Sequence, residues 1–171
     1  MKKTLVLLAL AGALAAPAPA IETTPLQIGI WGPSAQLFPA STRVMGLRLN
    51  LVMSANDEVM GFDLGLVGRA DRMSAIQVNL ANWVETEFAG VSLGLFGQMG
   101  SLAGLQAGLF NTVANDLSGF QVGLFNQADS VSGIQIGLIN RAVTLRGLQI
   151  GLANLVEEGP VTFFPILNAA F

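Results

Sequence analysis

The chain has 171 residues, no cysteine, histidine or tyrosine, 11% charged residues and a mean hydropathy of +0.61. A soluble domain usually has about a quarter of its residues charged, so much of any folded surface here must be apolar. The missing residue types exclude disulfides, thiolate nucleophiles, histidine triads and the usual zinc ligand sets.

Residues 1–20 have the pattern of an export leader. Lys2 and Lys3 precede the apolar run Thr4 to Ala16, and Ala18-Pro19-Ala20 offers small residues for cleavage before Ile21. The run is shorter than the roughly 20 residues that a membrane-spanning helix needs. The expected mature part, residues 21–171, is a single β-repeat domain. Losing both lysines leaves six arginines against eleven acids, a net charge of -5. That balance argues against a nucleic-acid partner.

Tandem units follow. Leu26-Gln27-Ile28-Gly29-Ile30 is a degenerate first copy, and the Pro-containing stretch from Gly32 to Arg43 is one longer connection. Eight copies then start at Gly46, Gly61, Ala75, Gly90, Gly104, Gly119, Gly133 and Gly147, spaced by 14 or 15 residues. The last four read GLQAGLFN, GFQVGLFN, GIQIGLIN and GLQIGLAN, and Val161 to Phe171 is an atypical end. Side chains alternate with period two, which predicts short strands and little helix. By strict alternation, Leu148, Ile150, Leu152 and Asn154 share one face, and Gly147, Gln149, Gly151 and Ala153 the other.

The third position of each copy is polar between apolar neighbours. It holds Arg48, Asp63, Gln77, Ser92, Gln106, Gln121, Gln135 and Gln149. Arg48 and Asp63 are the only charges within these strand motifs and are expected to compensate one another as interior charges. Asn111, Asn126, Asn140 and Asn154 recur at the eighth position, and Asn82 joins them.

Two all-β geometries suit tandem strand repeats of this length. The preferred one is a small antiparallel outer-membrane-type β-barrel of about ten strands, with the polar row inside and the Leu/Ile/Val row against lipid. Phe96, Phe110, Phe125 and Ile139 would then plug its lumen. The alternation of seven- and six-residue connections suits a meander, which sends successive connections to opposite ends. The alternative is a β-solenoid. Its parallel coils would stack the glutamines and asparagines into ladders and put Arg48 beside Asp63.

The GLQxGLxN array from Gly104 to Asn154, with Gly46 to Leu51 before it, resembles bacterial surface repeat-containing proteins of spirochaetes and other diderm bacteria. The ending Phe163 to Phe171 is similar to the ends of those chains. The resemblance implies an exported protein of the outer membrane or cell surface and no assigned activity. Gly68 and Gly97 stand where the repeat has asparagine. Phe171 also resembles the closing residue of outer-membrane barrels, although Pro165 interrupts its strand.

No catalytic, cofactor or metal site emerges. The carboxylate pairs Asp57/Glu58, Glu85/Glu87 and Glu157/Glu158 lie in connections, where solvated turns account for them. The expectation is a structural or anchoring protein without catalysis, in contact with outer-membrane lipid and with the export and barrel-assembly machinery. The alternative reading is a surface-exposed solenoid that adheres or self-associates.

Overall fold

The computed structural model describes residues 22–159 and 161–171; the expected leader lies outside them. The strands are β1 (Thr23–Trp31), β2 (Arg43–Leu93), β3 (Phe96–Ala107), β4 (Phe110–Val122), β5 (Phe125–Ile136), β6 (Ile139–Val156) and β7 (Phe163–Ala170), and there is no helix among the described residues. They pair in sequence order, β1 to β6 parallel and β7 antiparallel to β6. Equivalent residues meet: Gln106 pairs with Gln121, Gln121 with Gln135, and Gln135 with Gln149. β2 has 51 residues and winds on itself, since Arg48 Nε donates to Asp63 Oδ1 fifteen positions later.

The fold is therefore a β-solenoid. The expected antiparallel barrel is corrected, and with it the lumen. The rhythm of connections that favoured a meander has a different cause. Val84 pairs with Met99 and Glu87 with Ser101, while Met99 pairs with Val113 and Leu102 with Leu117. Each longer copy thus absorbs its extra residue as a bulge on the same side of the coil. Between β5 and β6 both copies have equal length and the register runs without a shift.

Strict alternation also fails at one place in every coil. The chain bends at Gly108-Leu109, Gly123-Leu124 and Gly137-Leu138. Past the bend the phase slips, so two successive residues point outward. Leu109 and Phe110 are 41% and 47% exposed, and the next residue, Asn111, is buried. Phe96, Phe110, Phe125 and Ile139 are consequently outside, not plugging an interior, and Phe96 stacks on Phe110 with centroids 5.5 Å apart. Asn111, Asn126, Asn140 and Asn154 move inside, next to the glutamines, instead of joining the leucine face.

Two glycine positions make this bend and stacking feasible. Gly119 has φ +131, and a Cβ there would run into the backbone of Gly104, with the Gly104 carbonyl carbon at 3.0 Å and its oxygen closer still. Gly123 has room for no side chain because Gly108 O and Asn111 Nδ2 crowd it.

Each coil has two interiors. Between the arms that meet at the bend, the interior is polar. On the opposite side it is apolar, built from residues such as Val113, Leu117, Ala128, Val131 and Ala142. Most of the exposed charges lie outside this apolar half, among them Asp57, Arg72, Glu87, Asp116 and Asp129.

Both ends of the stack are covered. At the first coil, Gln27 Nε2 donates to Phe38 O and Phe38 N donates to Gln27 Oε1, at 2.9 and 3.0 Å. At the last, β7 turns back along β6, and its register shifts around Pro165 and Ile166, where Ile166 has φ 71. Such an irregular strand is a poor template for further pairing. Phe171 lies beyond β7 and is fully exposed, so it closes no barrel.

Candidate functional site

The polar interior is built from the repeat's third and eighth positions. Gln121 Nε2 donates to Gln106 Oε1, Gln135 to Gln121 and Gln149 to Gln135, at 2.8–3.0 Å. The asparagines donate the other way: Asn111 Nδ2 to Asn126 Oδ1, Asn126 to Asn140 and Asn140 to Asn154, at 2.8–2.9 Å. Neighbouring ladders that donate in opposite senses let their amide dipoles offset one another. Every ladder amide except that of Gln106 also reaches backbone oxygen, as in Asn126 Nδ2 to Ile136 O at 2.9 Å. A buried polar core stays affordable only when its donors and acceptors are paired in this manner.

The glutamine ladder stops at Gln106, because the coil before it has Ser92 at that position; Gln106 Nε2 has no partner. The asparagine ladder breaks at Gly97, where Gln106 Nε2 occupies the space a side chain would need. Further toward the N-terminus the core changes character. Arg48 and Asp63 are both 0% exposed and paired at 2.7 Å. Asp63 Oδ1 also accepts from Asn50 Nδ2, and Oδ2 from Gln77 Nε2 and Asn79 Nδ2, at 2.7–3.0 Å. Arg48 Nη1 donates to Arg69 O at 2.7 Å. Gly68 leaves the room that Asp63 and Asn79 fill.

Burial alone would raise the Asp63 carboxyl, but the Arg48 guanidinium and the amides of Asn50 and Asn79 outweigh it and hold the group below its ordinary value. A depressed folded-state pKa contributes stability in full above the unfolded value, which is near 3.8, and loses it as pH falls toward the folded value. Denaturant unfolding should therefore show no Asp63-dependent change from about pH 8 to 5 and a decline below about pH 4. A chain carrying both Arg48→Gln and Asp63→Gln should lose that contribution to the decline. An Asp63-dependent loss between pH 7 and 5 would contradict the direction of the shift.

The carboxylate pairs in the connections do not converge. Glu58 binds Arg43 at 2.6 Å, Glu85 binds Arg69 at 2.7 Å, and Glu157 binds Arg141, each across adjacent copies. These pairs are substantially exposed, and each is worth about 0–1 kcal/mol. Among the described residues, no three acids come together as metal ligands.

On the outer surface around the bend, alternation hides only the seventh-position row, which joins the Leu/Ile/Val row outside. In all eight copies the second, fourth, sixth and seventh positions are apolar and point outward or lie partly exposed. In one copy these are Phe120, Val122, Leu124 and Phe125. The bend leucines Leu109, Leu124 and Leu138 are 41–48% exposed. A contiguous exposed apolar surface of this kind marks an interaction site. The coil is inverted on this side, with amides within and hydrocarbon without.

No protein-family model matches the chain, and no curated protein or solved structure shows significant similarity to it.

Proposed function

We propose that the chain is a non-catalytic structural module of the bacterial outer envelope, a β-solenoid at the cell surface that works by association through its apolar flanks. One observation carries this reading: the four outward positions around the bend are apolar in every copy, while the residues behind them form a polar core held by side-chain amide ladders. A protein evolved to stay dispersed in water would place its amides outside. The leader pattern in residues 1–20 and the resemblance of the GLQxGLxN units to surface repeat proteins support the location. Arg48, Asp63 and the amide ladders act as structure in this reading, since they are sealed from any solvent-borne substrate.

The test is to replace Leu109, Leu124 and Leu138 together by glutamine. In detergent-free buffer the parent chain should sediment as oligomers or aggregates, and the triple variant should shift toward monomer with its β-sheet circular dichroism retained. The replaced side chains are nearly half exposed, so the thermal midpoint should move by no more than about 4 °C, the equivalent of roughly 1 kcal/mol. A parent chain that stays monomeric in buffer at high concentration and binds no apolar surface would refute association through the flanks.

A further inference from the structure

We infer that the partner of the apolar flanks is a single lipid leaflet, on which the solenoid lies with its bend submerged and its charged side in water. The inference rests on the association reading above and names the partner.

Shape is the first argument. The apolar rows cover two adjoining sides and the corner between them, which is a convex surface. A second copy laid on one side would leave the corner and the other side exposed, whereas a fluid covers all three. Depth is the second. From Phe120 to the bend residue Leu124 the chain advances four residues, roughly 13 Å at 3.3 Å each. That is less than one leaflet, about 15 Å or half the hydrocarbon thickness. The chain then turns at Leu124 and returns, so it enters and leaves on the same side.

Hydrocarbon also demands that no backbone polar group be left unpaired. At the bend Leu109 N donates to Leu95 O, Leu124 N to Leu109 O and Leu138 N to Leu124 O, at 2.9–3.0 Å. The side-chain amides behind the bend are paired in the ladders, with Gln106 Nε2 at the ladder's end the exception. The apolar belt has a polar boundary past its seventh position in most copies and before its second position in four of the eight, with Met45, Met60, Ala89 and Ala103 in the others. One outward step past the seventh position come Thr112, Gln127 and Arg141, and one outward step before the second come Ser118, Ser132 and Arg146. Trp83 occupies the first of these boundaries and is 44% exposed, where an amphipathic ring suits the headgroup level. The water-facing side carries more acids than arginines, so adhesion comes from apolar burial and not from attraction to anionic headgroups.

The full chain, freed of detergent in the presence of zwitterionic phosphatidylcholine vesicles, should float with them, and roughly 1 M salt should not release it, since salt screens only charge. The protein has no cysteine, so Leu124→Cys, Phe120→Cys and Asp116→Cys each accept one nitroxide. Oxygen should reach the label best at position 124 and less at 120, while a water-soluble nickel complex should reach the label at 116. Joint replacement of Leu109, Leu124 and Leu138 by arginine should cut the floated fraction about tenfold, one factor of ten per 1.4 kcal/mol, with circular dichroism unchanged. Oligomers that sediment while the vesicles float empty would overturn the inference and leave association standing, with another copy as the partner. A monomer dispersed in buffer and absent from the vesicles would overturn both. A floated chain whose label at 124 is open to nickel would overturn the proposed orientation and the inference with it.

Discussion

Replacing Asp63 by alanine is expected to destabilise the solenoid by about 3–5 kcal/mol, the cost of leaving one member of a buried ion pair alone. Arg48 would lose its partner at 2.7 Å while 0% exposed, and the amides of Asn50, Gln77 and Asn79 would lose their common acceptor. Arg48→Gln alone should cost a similar amount, because Asp63 would then be a buried carboxylate without a cation. The double replacement Arg48→Gln with Asp63→Gln should regain much of the loss, since it extends the residue type that already stacks at Gln106, Gln121, Gln135 and Gln149. Denaturant midpoints of the parent, Asp63→Gln, Arg48→Gln and the double variant form the cycle. Losses below about 0.5 kcal/mol for both single variants would mean that the pair is not buried in solution.

Gly119→Ala is expected to be as damaging from a single methyl group. A residue with a Cβ pays about 1–3 kcal/mol for a sparsely populated positive φ, and overpacking against an immobile neighbour adds roughly 1–3 kcal/mol. Here the neighbour is the Gly104 backbone, and the same crowding repeats where Gly133 sits over Gly119. Gly32 provides the control. It has φ +64, but the nearest atom to an added Cβ is Met53 Sδ at 3.9 Å, so Gly32→Ala bears only the conformational part. Thermal unfolding of both variants should show the larger drop for Gly119→Ala, and equal drops would remove the argument that coil stacking demands glycine there.

Much of this architecture is legible in the sequence, because stacking repeats the same demand in every coil. The copies from Gly46 to Gly147, their polar third position and the oddity of Arg48 and Asp63 in that row are all visible without coordinates. The direction of strand pairing is not visible. Period-two alternation separates two faces equally well in a meander and in a coil, and a one-residue bulge in alternate coils imitates the unequal ends of hairpins. The phase slip at the bend does leave a signal. Leu109-Phe110-Asn111, Leu124-Phe125-Asn126 and Leu138-Ile139-Asn140 each place two apolar residues together before a buried amide, which strict alternation cannot accommodate. Extending the alternation through that pair put the phenylalanines inside and the asparagines outside. The same extension places the seventh-position row of the outer flank inside, while the Leu/Ile/Val row falls outside as alternation predicts.

The central claim is that equivalent positions stack in parallel, one coil above the next. Spin labels at Phe62 and Leu148 occupy the second position of the copies at Gly61 and Gly147, six copies apart, and labels at Phe62 and Phe120 are four copies apart. Parallel coils separated by roughly 4.8 Å predict pulsed-EPR distances of roughly 29 Å and 19 Å in the detergent-solubilised chain, increasing linearly with copy number. Distances that rise and fall as the copies are counted, as in a closed ring of antiparallel strands, would contradict the solenoid.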